Sequence, residues 1–225
     1  MRRLVFAVNR TRVAPVRIVL LPGAYQEPED FERAGFVTAL RARALDIDLE
    51  FVAPDLSHLL DRTILDALAS EVVAPARAAG AHSVWLGGAS LGGFIALAYA
   101  ERRPTEIDGL CLIAPYLGSR ILTSEVARAG GLRAWQPGQL ASDDEERRIW
   151  AFLQRLPLRG LRVQLGIGRH DRFGHGHGLL AAALPPAAVT VVDGGHDWSV
   201  WLELWDSFLS QLAAPTVAAK DVLRV

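Results

Sequence analysis

The chain has 225 residues, 51% hydrophobic and 22% charged, with a formal net charge of −1. That length suits one α/β domain with a sizeable core, and the near-neutral charge gives no electrostatic case for binding nucleic acid or an anionic membrane surface. The single cysteine, Cys111, rules out an internal disulfide. The apolar run at residues 4–8, after Arg2-Arg3, is too short for a signal segment or a membrane span. A soluble, cytoplasmic protein is expected.

Residues 4–8 read as a short edge strand and 9–12 as a turn. Val16–Leu21 is an apolar, β-branched run that reads as a buried strand, stopped by Pro22-Gly23-Ala24-Tyr25. Residues 29–45 set Phe31, Ala34, Val37, Leu40 and Ala44 at the helical period. A second strand spans 47–52 and closes at Pro54-Asp55. Residues 62–79 are helical in pattern, with Pro75 set to kink or end them. A third strand at 83–88 leads into a helix at 91–103 that Pro104 stops. Residues 109–114 form a nearly all-apolar fourth strand, which suggests burial on both faces. The fifth strand is 161–167, the sixth 188–192, and 199–212 is an amphipathic helix. Strands that alternate with helices predict a mostly parallel sheet of about six or seven strands, covered on both faces.

Residues 117–160 break the alternation. They hold a candidate helix at 119–129, a loop at 130–140 and a capping box, Ser142-Asp143-Asp144-Glu145, that starts a helix ending near Arg155. The expectation is one domain, 1–225, with 117–160 as a small lid-like insertion. Residues 214–225 read as a loosely held tail.

The chemistry centres on Gly88-Ala89-Ser90-Leu91-Gly92, a G-x-S-x-G pattern between a strand and a helix. In such a nucleophile elbow the serine occupies a sharp, strained turn, and the flanking positions must be small because neighbouring chain passes close. The hydroxyl then stands at a helix N-terminus, whose dipole favours negative charge. A serine needs a base, and the base needs an acid to hold it. After Ser90, Asp171 stands just past the fifth strand in Gly168-Arg169-His170-Asp171, and His196 just past the sixth in Gly194-Gly195-His196. The order Ser, Asp, His at the carboxyl ends of strands fits a triad built on an open α/β sheet.

These residues resemble the α/β-hydrolases of the serine esterase type, across about residues 16–212. Gly168-x-x-Asp171 resembles that family's acid turn and Gly195-His196 its histidine loop. Locally, Gly194-Gly195-His196-Asp197-Trp198 is similar to the histidine loop of acyl esterases related to S-formylglutathione hydrolase. Ala53-Pro54-Asp55-Leu56 resembles the family's proline–aspartate turn, but Ser57-His58-Leu59 replaces the usual Gly-His-Gly, so His58 is assigned no role. The resemblance implies hydrolysis of a small-molecule carboxylic ester or thioester through an acyl-enzyme, with Ser90 as nucleophile, His196 as base and Asp171 as its partner. The oxyanion hole would use the N–H groups of Leu91 and Ala24. Pro22-Gly23-Ala24 lacks the family's histidine in that loop.

Tyr25, Tyr116, Leu117, Trp135 and Trp198 are candidate substrate contacts, because they adjoin predicted strand ends or the insertion. Asp193 is a rival acid, Asp197 a cap for the last helix, and Cys111 an inert core residue. His82 reads as structural. His170, His175 and His177 match no metal-ligand spacing, and the glycines around His175 and His177 suggest a mobile loop. No metal or cofactor is expected, and no oligomeric state is implied. The alternatives are an acyltransferase or C–C bond hydrolase with the same triad, or a non-catalytic binding module on this fold.

Overall fold

A computed structural model describes residues 1–9, 11–53, 63–156 and 160–213. Among them, β1 (Arg2–Phe6), β2 (Val16–Leu21), β3 (Ile47–Ala53), β4 (Ser83–Ala89), β5 (Gly109–Ile113), β6 (Arg162–Gly168) and β7 (Val189–Val192) make one sheet. Its order is β1-β3-β2-β4-β5-β6-β7. Only β1 runs antiparallel; every other neighbouring pair is parallel. The chain leaves β2 to one side for β3 and returns on the other side as β4. The carboxyl ends of β2 and β4 therefore flank a switch point, where open α/β sheets place ligands.

Side-chain alternation divides the core into two layers. From β2, Val19 and Leu21 face one layer; Ile18 and Leu20 face the other. Leu86 and Trp85 on β4, and Leu112 and Cys111 on β5, divide in the same way. β3 also alternates, but its second set holds two acids beside Val52. Asp48 and Glu50 are buried, and Arg17 on β2 donates to both, at 3.3 and 3.0 Å.

The helices depart from expectation in four places. Residues 29–45 form two helices, α1 (Pro28–Arg33) and α2 (Phe36–Arg41), because Gly35 between them takes φ +99°. Residues 62–79 hold α3 (Thr63–Leu68), a π turn (Ala69–Val73) and α4 (Ala74–Ala78). Pro75 has no N–H for the Glu71 carbonyl one turn back; Arg3 Nη1 donates to that oxygen instead, at 2.7 Å. The capping box does not form on Ser142. Asp144 caps α7 (Glu145–Gln154), accepting from Arg147 N–H at 3.0 Å. A helix missed in the sequence, α8 (Gly174–Ala181), replaces the mobile loop expected around His175.

The remaining helices lie close to expectation: α5 (Leu91–Arg102), α6 (Arg120–Arg128) and α9 (Trp198–Ala213). The edge strand sits two residues earlier than expected. Within 117–160, Leu122, Val126, Trp135 and Trp150 join the same core layer as Leu97 and Tyr99 of α5. That segment thus packs into the main core. No helix among the described residues is long and apolar enough to cross a membrane. The Pro54-Asp55 turn, His58 and residues 214–225 lie outside the described residues.

Candidate active site

Ser90 joins β4 to α5 with φ +51° and ψ −114°. A side chain there is strained, and such strain persists only where surrounding structure holds it. Here Ser90 N–H donates to Ile113 O at 3.0 Å, and Ser90 O accepts from Gly93 N–H at 3.1 Å and Tyr116 N–H at 2.9 Å. The elbow packs against the end of β2. A Cβ on Gly92 would lie 2.0 Å from Leu21 O, and one on Gly88 2.3 Å from the same atom. Both glycines are therefore demanded by the close passage of β2.

Asp171 follows β6, where its N–H donates to Gly168 O at 3.1 Å. The loop after β7 is tied to that turn by His170 N–H donating to Gly194 O at 2.9 Å. This join brings His196 to Asp171. His196 Nδ1 donates to Asp171 Oδ2 at 2.7 Å, and Phe173 N–H donates to Oδ1 at 2.8 Å. Burial pushes the Asp171 carboxyl up, but the bonds from His196 and Phe173 outweigh it and hold the group below its ordinary value. An ionised Asp171 keeps the proton on Nδ1, so Nε2 of the neutral ring is a free acceptor. Nε2 is buried and has no hydrogen-bond partner among the described residues. The imidazole is clamped edge-on by Phe173 and Trp201, at 5.1 and 5.0 Å between ring centres.

Ser90, Asp171 and His196 thus follow β4, β6 and β7 at the carboxyl end of the sheet. Tyr116 links them, since its N–H bonds Ser90 O and its ring lies 5.5 Å from that of Phe173. Serine and histidine are not hydrogen-bonded to each other. Such bonds are often long before substrate arrives.

A cleft of about 630 Å³ opens beside this site and is lined by Tyr116, Leu117 and Phe173, among others. Two of the five expected contacts, Tyr116 and Leu117, therefore wall it. The other three do not line this cleft. Trp135 is buried within the 117–160 segment, with Nε1–H donating to Glu125 at 2.8 Å. Trp198 packs edge-on against Phe31 and Trp201 in the opposite layer. Tyr25 is fully exposed, at φ +61°. Tyr116 OH donates to Glu146 at 2.8 Å; burial, with this bond, pushes the phenol up to about 12.

In the loop after β2, Gly23 abuts the nucleophile; a Cβ there would lie 3.4 Å from Ser90 Cβ. Gly23 N–H is occupied by Gln26 Oε1 at 2.8 Å, which folds the loop back on itself. Ala24 N–H has no partner among the described residues. Leu91, as the first residue of α5, presents an N–H that the helix cannot use.

Asp193 is 84% exposed and faces Arg169 and His170 rather than His196. Asp197 caps α9, accepting from Ser199 N–H and Val200 N–H at 3.1 and 3.2 Å. Burial pushes the Cys111 thiol up, away from nucleophilic use. The three neighbouring histidines are dispersed. His170 and His175 are exposed, and no group of residues among those described is arranged to hold a metal. His177 is fully buried, its Nε2 2.8 Å from Pro115 O and its Nδ1 without a partner. Its burial was hidden from sequence by the three glycines around it.

These features define a protein class. A family model described as the alpha/beta hydrolase fold matches residues 57–171, just over half of the chain, and the chain belongs to that family. Solved structures share the fold at low identity. FphF, a fluorophosphonate-binding serine hydrolase of Staphylococcus aureus, aligns with TM-score 0.67 at 10% identity, over 93% of this chain and 88% of its own. A ferulic acid esterase gives TM-score 0.64 at 16% identity, over 93% and 90%. FrmB, an S-formylglutathione hydrolase of Staphylococcus aureus, gives 0.59 at 11% identity, over 90% and 83%. No curated protein sequence matches the chain.

Proposed function

We propose that this chain is a serine hydrolase that cleaves small carboxylic esters or thioesters. The observation that carries the reading is the 2.7 Å bond from His196 to Asp171, which leaves Nε2 bare and buried at the carboxyl end of the sheet, where the strained Ser90 also stands. In this mechanism Ser90 Oγ attacks the acyl carbon while His196 Nε2 takes its proton. Asp171 holds the ring and stabilises the imidazolium. The N–H groups of Leu91 and Ala24 receive the oxyanion, each contributing about 3–4 kcal/mol in the transition state. The tetrahedral intermediate collapses and expels the alcohol or thiol, which takes the proton from His196. Water, deprotonated by the same nitrogen, then attacks the acyl-enzyme and returns Ser90. The 117–160 segment serves as the insertion that walls the substrate cleft. No cofactor enters these steps.

The test is labelling by a fluorophosphonate probe, which phosphonylates an activated serine, alongside ester turnover. Wild type should label and turn over. Ser90→Ala should do neither while keeping its melting temperature. Undiminished hydrolysis by Ser90→Ala would sink the reading.

A further inference from the structure

Resting on the esterase reading above, we propose that the cleft beside Ser90 selects esters bearing a carboxylate on their acid or alcohol part, and that Arg120 and Arg172 select them. The cleft has the volume of a small-ligand site, at about 630 Å³. Tyr116, Leu117 and Phe173 make an apolar wall next to the candidate triad. The charged side chains that line it are Arg120 and Arg172, with His175 beside them; among the described residues no aspartate or glutamate lines it. This is a local departure from a chain whose net charge is −1.

The two arginines are also uncommitted. Several other arginines are in ion pairs, among them Arg17 with Glu50, Arg77 with Asp108, Arg147 with Glu125 and Arg148 with Glu101, while Arg128, Arg133 and Arg155 donate to backbone carbonyls instead. Arg120 and Arg172 have no carboxylate partner among the described residues. Two acids hold residues of this wall and both are engaged: Asp171 accepts from His196 and from Phe173 N–H, at 2.7 and 2.8 Å, and Glu146 accepts from Tyr116 OH and Ser119 N–H, both at 2.8 Å. Arg172 directly follows Asp171, and its guanidinium lies over the Phe173 ring at 4.9 Å. The turn that sets the acid therefore also holds a cation at the cleft. A guanidinium without a partner presents a fork that matches a carboxylate, and an apolar wall beside it suits a short carbon chain ending in that group.

The experiment compares matched esters. 4-Nitrophenyl butyrate and 4-nitrophenyl hemisuccinate differ in a terminal methyl or carboxylate on the acid part. 4-Methylphenyl acetate and 4-(carboxymethyl)phenyl acetate probe the alcohol part. The anionic member of at least one pair should have a kcat/KM about tenfold higher at low salt, the scale of two solvent-exposed charge contacts, and salt should shrink the ratio. Arg120→Gln with Arg172→Gln should bring the ratio close to one, while Arg120→Lys with Arg172→Lys should keep most of it. A ratio of one in both pairs, or a preference that survives the double Gln change, overturns the proposal. Fluorophosphonate labelling separates the two readings. An unlabelled wild type overturns the esterase reading itself, whereas a labelled wild type without the preference overturns only this one. If the double variant fails to label, the single Gln variants decide, each expected to lose part of the ratio.

Discussion

Asp193 stands three residues before His196 and Asp171 twenty-five, yet it is Asp171 that the histidine meets. Asp171 is 7% exposed and takes two hydrogen bonds, while Asp193 points into solvent. Asp171→Asn is expected to lower kcat by about 10⁴-fold, the scale of the same change in a serine-protease triad. Asp193→Asn should change it little, and steady-state kinetics on both variants would expose the opposite ranking. His177 carries a second residue-scale prediction. Burial lowers its affinity for a proton, more than Pro115 O and Asp171 raise it. The folded chain therefore stays unprotonated there below pH ~6.5, where an unfolded histidine takes up a proton. Stability should fall as pH drops below that value, by up to about 1.4 kcal/mol per pH unit, until the folded state titrates too. Asp171, held low, adds a loss only at more acid pH, below the ordinary aspartate range. In His177→Gln the slope of melting temperature between pH 6.5 and 5 should flatten. An unchanged slope would assign the acid sensitivity elsewhere.

At the scale of elements, glycine has opposite meanings in two helices. In α5, Gly92 lies against the β2 backbone, so Gly92→Ala drives a Cβ into Leu21 O. Chemical denaturation should show a loss of more than about 3 kcal/mol, or no folded protein at all. In α8, a Cβ on Gly178 meets nothing within 4 Å. Gly178→Ala should therefore stabilise by about 0.5–1 kcal/mol through helix propensity and lost unfolded-state freedom. A Gly178→Ala melting temperature below wild type would contradict that account. The same glycines hide α8 in the sequence: three in five residues erase the propensity signal, and the helix forms where it packs against α6 and β6. The π turn before Pro75 has a similar origin, since Arg3 on β1 supplies the donor that proline lacks.

Across the whole molecule, charge is buried on one face of the sheet, the face that Val19, Leu21 and Val52 turn to their apolar layer. Arg17 is largely buried between Asp48 and Glu50, on neighbouring strands. Arg17→Met keeps the side-chain length but leaves both buried carboxylates without that partner. The expected loss is about 3–5 kcal/mol, since the uncompensated charge costs more than the lost attraction. Urea unfolding would measure it, and a loss below about 1 kcal/mol would show that Arg3 alone neutralises the pair. The site lies at the other end of β2, so Arg17→Met should leave fluorophosphonate labelling of the folded fraction intact.

Strand positions, the parallel sheet and the elbow were legible in the sequence because each rests on a local signal. Val16–Leu21 and residues 109–113 are apolar enough to be buried on both faces, and Gly88 and Gly92 mark a close backbone approach around Ser90. The order of Ser90, Asp171 and His196 also reads directly along the chain. Sequence order favoured Asp171 over Asp193, and the join between the turns after β6 and β7 is what brings Asp171 to His196. Tertiary structure also decided that Trp135 is buried and Trp198 half-buried in the two layers while Tyr116, Leu117 and Phe173 wall the cleft. It brought Arg120 and Arg172, 52 residues apart, to one cleft that no carboxylate among the described residues lines. Propensity and periodicity act over a few neighbouring residues. Burial, ion pairing and cavity shape are set by segments far apart in the chain, so they emerge only when the sheet has brought those segments together.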